Sequence, residues 1–374
     1  AQESRGLGDV YKRQILIRLR LIRVFFTPEL NYTHNKLKVQ VYHMKAGKLS
    51  ESVLKRSVLK TIKYKSDDMY TFANVGNDAA VSKDGTVMSS CVAGLMLSED
   101  NLYFDCKRAI YAAMANVCAE GGVPATMNVD VIIPEKRLES ELKELTRYIA
   151  KIALEANIHI TGGNTEVTRA VKSPVVTFTV LGHYIYDTYI DACEWVKEDY
   201  DIVLTKQIGM SGTVALAKEK YNELKEKFQV SYLKKALDME KYLDVRSEAA
   251  VAESLGVRVM HDLSRGGIYL GLWQLAAKTQ KGVEVMMDDI DIRQETIEIC
   301  EPYGINPYKL MSNGAMLMVT EDGETLVREL RHQGTDARII GRLTNDNDKV
   351  ILKNEDRRYI EPPKRDELEI FLTK

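Results

Sequence analysis

The sequence predicts two mixed α/β (α+β) domains, and three observations carry that prediction. The chain has 374 residues, enough for two ordinary domains. It is 45% hydrophobic and 28% charged, the balance of a globular protein rather than a disordered one. From Met44 onward, segments with helical and strand periodicity alternate, each half mixing both kinds.

Taken in order, Ser50 is placed to cap a first helix with Leu54, Val58 and Ile62 on one face. Residues 87–90 read as a strand. The segment 105–120 reads as a helix rich in alanine, which lets another backbone approach closely, and Gly121 and Gly122 end it. A strand follows at 128–133, stopped by Pro134. The clearest helix is 137–156, where Leu138, Leu142, Leu145, Ile149, Ile152 and Ala156 recur at helical spacing. A short strand at 159–161, a turn at Gly162 and Gly163, and an alternating strand at 175–181 complete the first half. The polar stretch 184–198 separates the halves.

The second half begins with a strand at 201–205, a glycine turn at 209 and 212, and a helix from Thr213. A charged helical segment covers 221–242, and Ser247 caps a helix that ends at Gly256. The strand 257–260 leads into His261–Gly267 and a helix at 268–278. Strands at 283–287, 315–319, 338–341 and 350–352 and a helix at 294–300 complete the expectation. The domains predicted are therefore 44–183 and 199–353, with a tail at 354–374.

Residues 1–43 differ in character. They carry eight Lys/Arg against three Asp/Glu, whereas the whole chain has net charge −2. Residues 5–14 resemble translated linker sequence found at the ends of metagenomic reading frames, so 1–43 is expected to be a non-native or disordered extension with Met44 as the start. The apolar run 15–26 is interrupted by Arg18, Arg20 and Arg23 and falls short of the ~20 residues a span needs. No membrane partner is expected. The overall charge gives no reason to expect nucleic acid. Five cysteines, an odd number without a C-x-x-C pair, indicate reduced, cytoplasmic usage.

Phosphate loops of the G-x-x-x-x-G-K-[ST] type, zinc-helix, nucleophile-elbow and dinucleotide motifs are absent. Three stretches carry chemistry instead. In Val75-Gly76-Asn77-Asp78-Ala79-Ala80, a carboxylate follows a glycine where backbone N–H groups are free for phosphate and Asp78 can hold a metal; an ordinary Asn-Asp turn has the same composition. In Gly162-Gly163-Asn164-Thr165-Glu166, two glycines admit a ligand close to the backbone, or simply make a turn. In His261-Asp262-Leu263-Ser264-Arg265-Gly266-Gly267, polar side chains at a strand's end meet a helix N-terminus, a geometry suited to anions; His261 and Asp262 would equally tie the turn together. Asn313-Gly314 lines a site or turns the chain before the next strand.

In this order, these stretches resemble the aminoimidazole ribonucleotide synthetase-related superfamily, and His-Asp-Leu-Ser-Arg-Gly-Gly is similar to the form found in its hydrogenase maturation factor HypE-like members. The resemblance covers about 44–352. It implies an N-terminal α/β domain that dimerises through its sheet, a C-terminal α/β domain, and a homodimer that holds ATP and Mg²⁺. It implies ATP-dependent phosphoryl transfer to a small-molecule or protein acceptor, in hydrogenase or metallocofactor maturation. Carried onto this chain, His261, Asp262 and Glu166 become the catalytic candidates. Lys48, Asn77, Asp78, Asn116, Gly163, Asn164, Thr165, Gly266 and Gly267 become the nucleotide-binding candidates, with Asp78 the metal ligand.

The chain departs from that pattern where the family places carboxylates: Asn77, Cys91, Val117 and Asn164 stand there instead. A carboxylate 4 Å from a cation gains roughly 4 kcal/mol at an effective dielectric of ~20, before desolvation. Losing two or more removes most of the affinity for a hard cation that wants oxygen ligands. Nor is there a terminal cysteine to carry a nitrile, since the chain ends Leu372-Thr373-Lys374. A catalytically weakened paralogue, acting as a nucleotide-binding or regulatory dimer, is therefore the rival expectation.

Overall fold

The computed structural model describes residues 46–354 and 356–373. The expectation for 1–43 and for a start at Met44 lies outside them. Helix α1 (Glu51–Ser57) is shorter than its pattern suggested. The helix ends before Val58 and Ile62, both of which are exposed. Ser50 stands at its N-cap, but the hydroxyl makes no capping bond. An apolar pattern with nothing packed against it does not extend a helix on its own.

The first sheet contains β1 (Ala80–Val81), β2 (Thr86–Ala93), β3 (Gly122–Pro134), β4 (His159–Thr168) and β5 (Val175–Tyr184), in the order β1-β2-β5-β3-β4. Two helices accompany it, α2 (Leu102–Ala119) and α3 (Glu139–Glu155). Only the β3–β4 pair is parallel, and α3 makes the crossover that a parallel pair requires. Leu145, Ile149, Ile152 and Ala156 are buried as the spacing of α3 demands, while Leu138 lies just ahead of the helix and is exposed.

The glycine pair overturns an expectation. Residues 162 and 163 form no turn: β4 runs straight through them. Met127 pairs with Ile160 but Asn128 pairs with Gly162, leaving Thr161 as an extra residue in a bulge. Gly163 has φ +144°, and a Cβ there would lie 1.8 Å from the Val129 carbonyl oxygen. The glycine is needed for strand-to-strand approach.

The second sheet has the order β12-β11-β8-β10-β6-β9-β7. Its strands are β6 (Asp201–Thr205), β7 (Val259–Asp262), β8 (Gly282–Met286), β9 (Met316–Thr320), β10 (Ala337–Thr344), β11 (Lys349–Lys353) and β12 (Asp356–Tyr359). Its longer helices are α4 (Met210–Glu219), α5 (Val230–Leu237), α6 (Arg246–Ser254), α7 (Gly267–Thr279), α8 (Gln294–Cys300) and α9 (Gly323–His332), followed by α10 (Glu367–Leu372). The charged segment 221–242 is not one helix, because Gln229 is extended and restarts the chain as α5. Val245 rather than Ser247 stands at the start of α6. Helix α9 was not anticipated, although Leu326, Val327 and Leu330 form its buried stripe and the Asp322 carboxylate accepts from the Thr325 N–H at 3.0 Å. Beyond residue 353, β12 pairs with β11 and α10 buries Leu368.

Helix α2 joins the two halves. Ala109 and Ala113 pack with the first sheet, while Ala115, Cys118 and Ala119 share a core with Met260, Met316 and Met318 of the second. The alanine face does what small side chains allow, bringing β7 and its His261 close to the helix that carries Asn116. Among the described residues, no helix is long and apolar enough to cross a membrane.

Candidate functional site

The site is built on the loop before β1, the end of β7 and the helix α7 that follows. Gly76 sets the first of these. Its φ is +92°, and a Cβ would lie 2.6 Å from the Gln274 carbonyl oxygen and 3.1 Å from the Lys278 backbone nitrogen. Only a glycine lets this loop press onto α7, and the next two residues are Asn77 and Asp78.

Asp78 thus meets His261: the imidazole Nδ1 is 2.8 Å from the carboxylate Oδ2, with both side chains buried. The other ring nitrogen, Nε2, lies 3.3 Å from Gln274 Oε1. The carboxylate takes the proton on Nδ1, and a second proton on Nε2, which would charge the ring, would face the Gln274 oxygen. Burial opposes that charge, but the Asp78 carboxylate outweighs it and raises the imidazole above its ordinary range. Burial likewise opposes ionisation of Asp78, and His261 and Lys278 overcome it, holding the carboxyl below the usual range. Asp262 goes the other way: burial, then the charge of Asp78, push it up to about 7.

Sequence reasoning missed two members of this cluster. The Lys278 ammonium, on the buried side of α7, lies 2.8 Å from Glu120 Oε1 and 3.4 Å from Asp78 Oδ2. It also donates to the Met260 carbonyl at 3.0 Å. Glu120 accepts from the Asp78 backbone N–H at 3.0 Å as well. The signal was present: Lys278 follows Gly271 by seven residues and Leu275 by three, so a lysine occupies the buried stripe of the helix.

A cavity of about 380 Å³ opens onto the cluster, lined among others by Lys48, Asp78, Asn116, Asp262, Arg265 and Asn313. Lys48 is exposed at its mouth. Asn116 donates to the Ser89 hydroxyl at 2.9 Å. Asn313 is 3% exposed, and neither its amide oxygen nor its nitrogen has a hydrogen-bond partner. A second cavity of about 710 Å³ shares Lys48, Asn77, Arg265 and Gln274 with the first and adds Leu54, Leu270, Trp273 and Pro362.

The remaining candidates divide. The Gly266 N–H donates to the Asp366 carboxylate at 2.7 Å, so a residue of the chain's own end caps this turn. Gly267 is packed against the carbonyl oxygens of Tyr308 and Leu310, where a Cβ would lie within 2.7 Å of each. Gly163, Asn164, Thr165 and Glu166 are not at the cavity. Cys91 of β2, Phe178 of β5, Val129 of β3 and Gly163 of β4 form one row across the sheet. Three strand spacings, about 14 Å, therefore separate Gly163 from the cavity wall at Cys91. Residues 159–167 are all exposed.

A Mg²⁺ ion at Asp78 was expected, and the donor set does not fit one. Asp78 Oδ2 is already shared by His261 and Lys278. Cys91 is a poor ligand for a hard cation, and burial raises its thiol to about 11. Val117 offers no donor. Among the described residues, no group of three or more His, Cys, Asp or Glu side chains is placed to hold a metal.

Comparison with known proteins agrees with this architecture. Residues 66–184 match the AIR synthase related protein N-terminal domain, and residues 197–353 match the C-terminal domain of the same family. A putative hydrogenase expression/formation protein of Methanocaldococcus jannaschii is 24% identical over 334 residues, covering 85% of this chain and 94% of that one. A carbamoyl dehydratase HypE of Rhizobium leguminosarum is 21% identical, covering 82% of this chain and 85% of its own. Among solved structures, a chain of the HypE–HypF complex superposes with a TM-score of 0.63 at 17% identity, covering 78% of this chain and 97% of that one. HypE in complex with ATP superposes at 0.58 and 16% identity, covering 84% and 95%.

Proposed function

Because the chain belongs to the AIR synthase-related family, we propose that it binds ATP in the Lys48–Asp78–Asn313 cavity and is a HypE-like protein that transfers a phosphoryl group to a small-molecule or protein acceptor, in cytoplasmic hydrogenase or metallocofactor maturation. One observation carries the binding half of this proposal. Asn313 leaves both ends of its amide unpaired in a buried position facing the cavity. Native proteins leave few such groups without a reason, and a bound ligand is one. A polyanion offers acceptors to the Asn313 amide and countercharge to Lys48 and Arg265. The apolar wall of Leu54, Leu270 and Trp273 next to it suits a nucleoside. The neighbouring Asp78 carboxylate favours a positive charge on the buried His261 ring, and Asp262, with its carboxyl pushed up to about 7, suits proton transfer.

Homodimerisation through the N-terminal sheet is part of the proposal. It is supported by β4, an edge strand whose backbone and side chains are open to a second copy. The binding role of Gly163, Asn164 and Thr165 and the catalytic role of Glu166 require that second copy, given their distance from the cavity within one chain.

A second function, a nucleotide-binding or regulatory dimer without turnover, is favoured by Cys91, Val117 and the engagement of Asp78 by Lys278. Thermal melting with ATP, paired with phosphate release, separates the two. A ligand at 100 times its Kd stabilises by ~2.7 kcal/mol. A shift in Tm with phosphate release supports transfer, and a shift without release supports the regulatory dimer. No shift at millimolar ATP removes both.

A further inference from the structure

The ammonium of Lys278 is surrounded by four oxygens from different parts of the chain: the Glu120 carboxylate at 2.8 Å, the Met260 carbonyl at 3.0 Å, the Asp78 carboxylate at 3.4 Å and the Ala119 carbonyl at 3.5 Å. Two carboxylates and two carbonyls are the donors a hard cation gathers. Here they gather around nitrogen, at distances well beyond the ~2.0–2.1 Å that Mg²⁺ requires. The lysine side chain is 6% exposed, and so is that of Asp78. Glu120 is 8% exposed.

Asp78 and Glu120 face Lys278, while His261 donates to Asp78 from the opposite side. A divalent ion arriving at Asp78 would find Oδ2 already held by the His261 ring and the Lys278 ammonium. Removing Lys278 would leave the buried Asp78 and Glu120 carboxylates without the cation that bridges them, a strong reason to collect another.

We infer that Lys278 takes the place of a metal ion in this chain: its ammonium occupies the oxygen cradle formed by Asp78, Glu120 and the carbonyls of Ala119 and Met260, so the adjoining cavity takes anionic ligands without a divalent cation at Asp78. Gly76 is part of the device, because it seats the Asp78 loop directly on the Lys278 turn of α7.

The test uses Mn²⁺ and Mg²⁺ alone, with no nucleotide, and so stands apart from the ATP proposal. Calorimetric titration of the full chain with Mn²⁺ should give no saturable site, and about 10 mM Mg²⁺ should leave Tm unchanged relative to EDTA. Lys278→Gln should bind Mn²⁺ at least tenfold more tightly and gain a Mg²⁺-dependent rise in Tm. Stoichiometric Mn²⁺ binding by the wild type, lost in Asp78→Asn, would overturn the inference, as would a folded Lys278→Gln that binds Mn²⁺ no better than the wild type. If Lys278→Gln does not fold, inorganic tripolyphosphate titrated into the wild type decides. Binding undiminished in EDTA supports the inference, and binding only with Mg²⁺ overturns it. Failure of ATP to bind while the Mn²⁺ results hold would remove the nucleotide proposal and leave Lys278 in its role.

Discussion

The turn at 261–267 and the strand at 162–166 have similar compositions, glycines beside polar and acidic side chains after a β-strand, and the fold uses them for different purposes. At the turn, β7 ends, His261 and Asp262 point into a cavity, and α7 begins. At the strand, the chain continues along a sheet edge and the polar side chains face outward. The difference lies in what the glycines approach. Gly163 is pressed against the backbone of its own partner strand, whereas Gly267 is pressed against the loop carbonyls of Tyr308 and Leu310 where a helix starts beside a cavity. A glycine pair in a sequence records a close approach without recording whether the other party is a neighbouring strand or a loop beside a cavity.

The sharpest way to break this contrast is at the buried cluster. His261→Ala leaves Asp78 short of a partner in a desolvated position, and should cost about 3–5 kcal/mol in urea unfolding. Gly163→Val should be the next largest effect, about 2–4 kcal/mol, because a Cβ meets the Val129 carbonyl. If the folded variant still binds ATP normally, the glycine serves the sheet alone.

A pH scan sharpens the comparison further. The Asp262 carboxyl is held up at about 7 in the fold, whereas an unfolded aspartate loses its proton near ~4. Between those values the folded chain holds the extra proton, so the Asp262 contribution to stability falls as pH rises from ~4 to ~7. Asp262→Asn should flatten that decline in Tm. An unchanged slope would remove Asp262 as a titrating group. The smallest effect is expected at the strand: Glu166→Gln, on an exposed edge, should change stability by no more than about 0.5 kcal/mol. A loss of ATP affinity in that variant would show that β4 of a second copy reaches the cavity.

What the sequence made legible follows from periodicity. Helix α3 repeats its apolar residues along its 17-residue length, and the alternation in β5 buries Val176, Phe178 and Val180. The alanines of α2 announced close packing, and two sheets meet across them. Extent was harder. Strand β4 continues through two glycines because a parallel neighbour holds it, and α1 stops early because nothing covers Val58 or Ile62. The site was half legible. His261 and Asp262 were named by their motif and Asp78 by its turn. Lys278 and Glu120 meet across 158 residues, a separation at which no local pattern speaks, although a lysine in the buried stripe of α7 was a visible anomaly. Asn313 reads first as a turn before the next strand, and it does stand in one; its buried, unpaired amide is what the sequence does not show.

The most direct measurement of the central claim is calorimetric titration of ATP into the wild type and Asn313→Ala. The variant deletes two unpaired buried groups, so its stability should stay within about 1 kcal/mol of the wild type. The wild type should show one saturable site per chain, and the variant about tenfold weaker binding, as expected for a lost hydrogen bond to a charged ligand. Equal affinity in the two proteins, or no binding in the wild type, would contradict the placement of the nucleotide in this cavity.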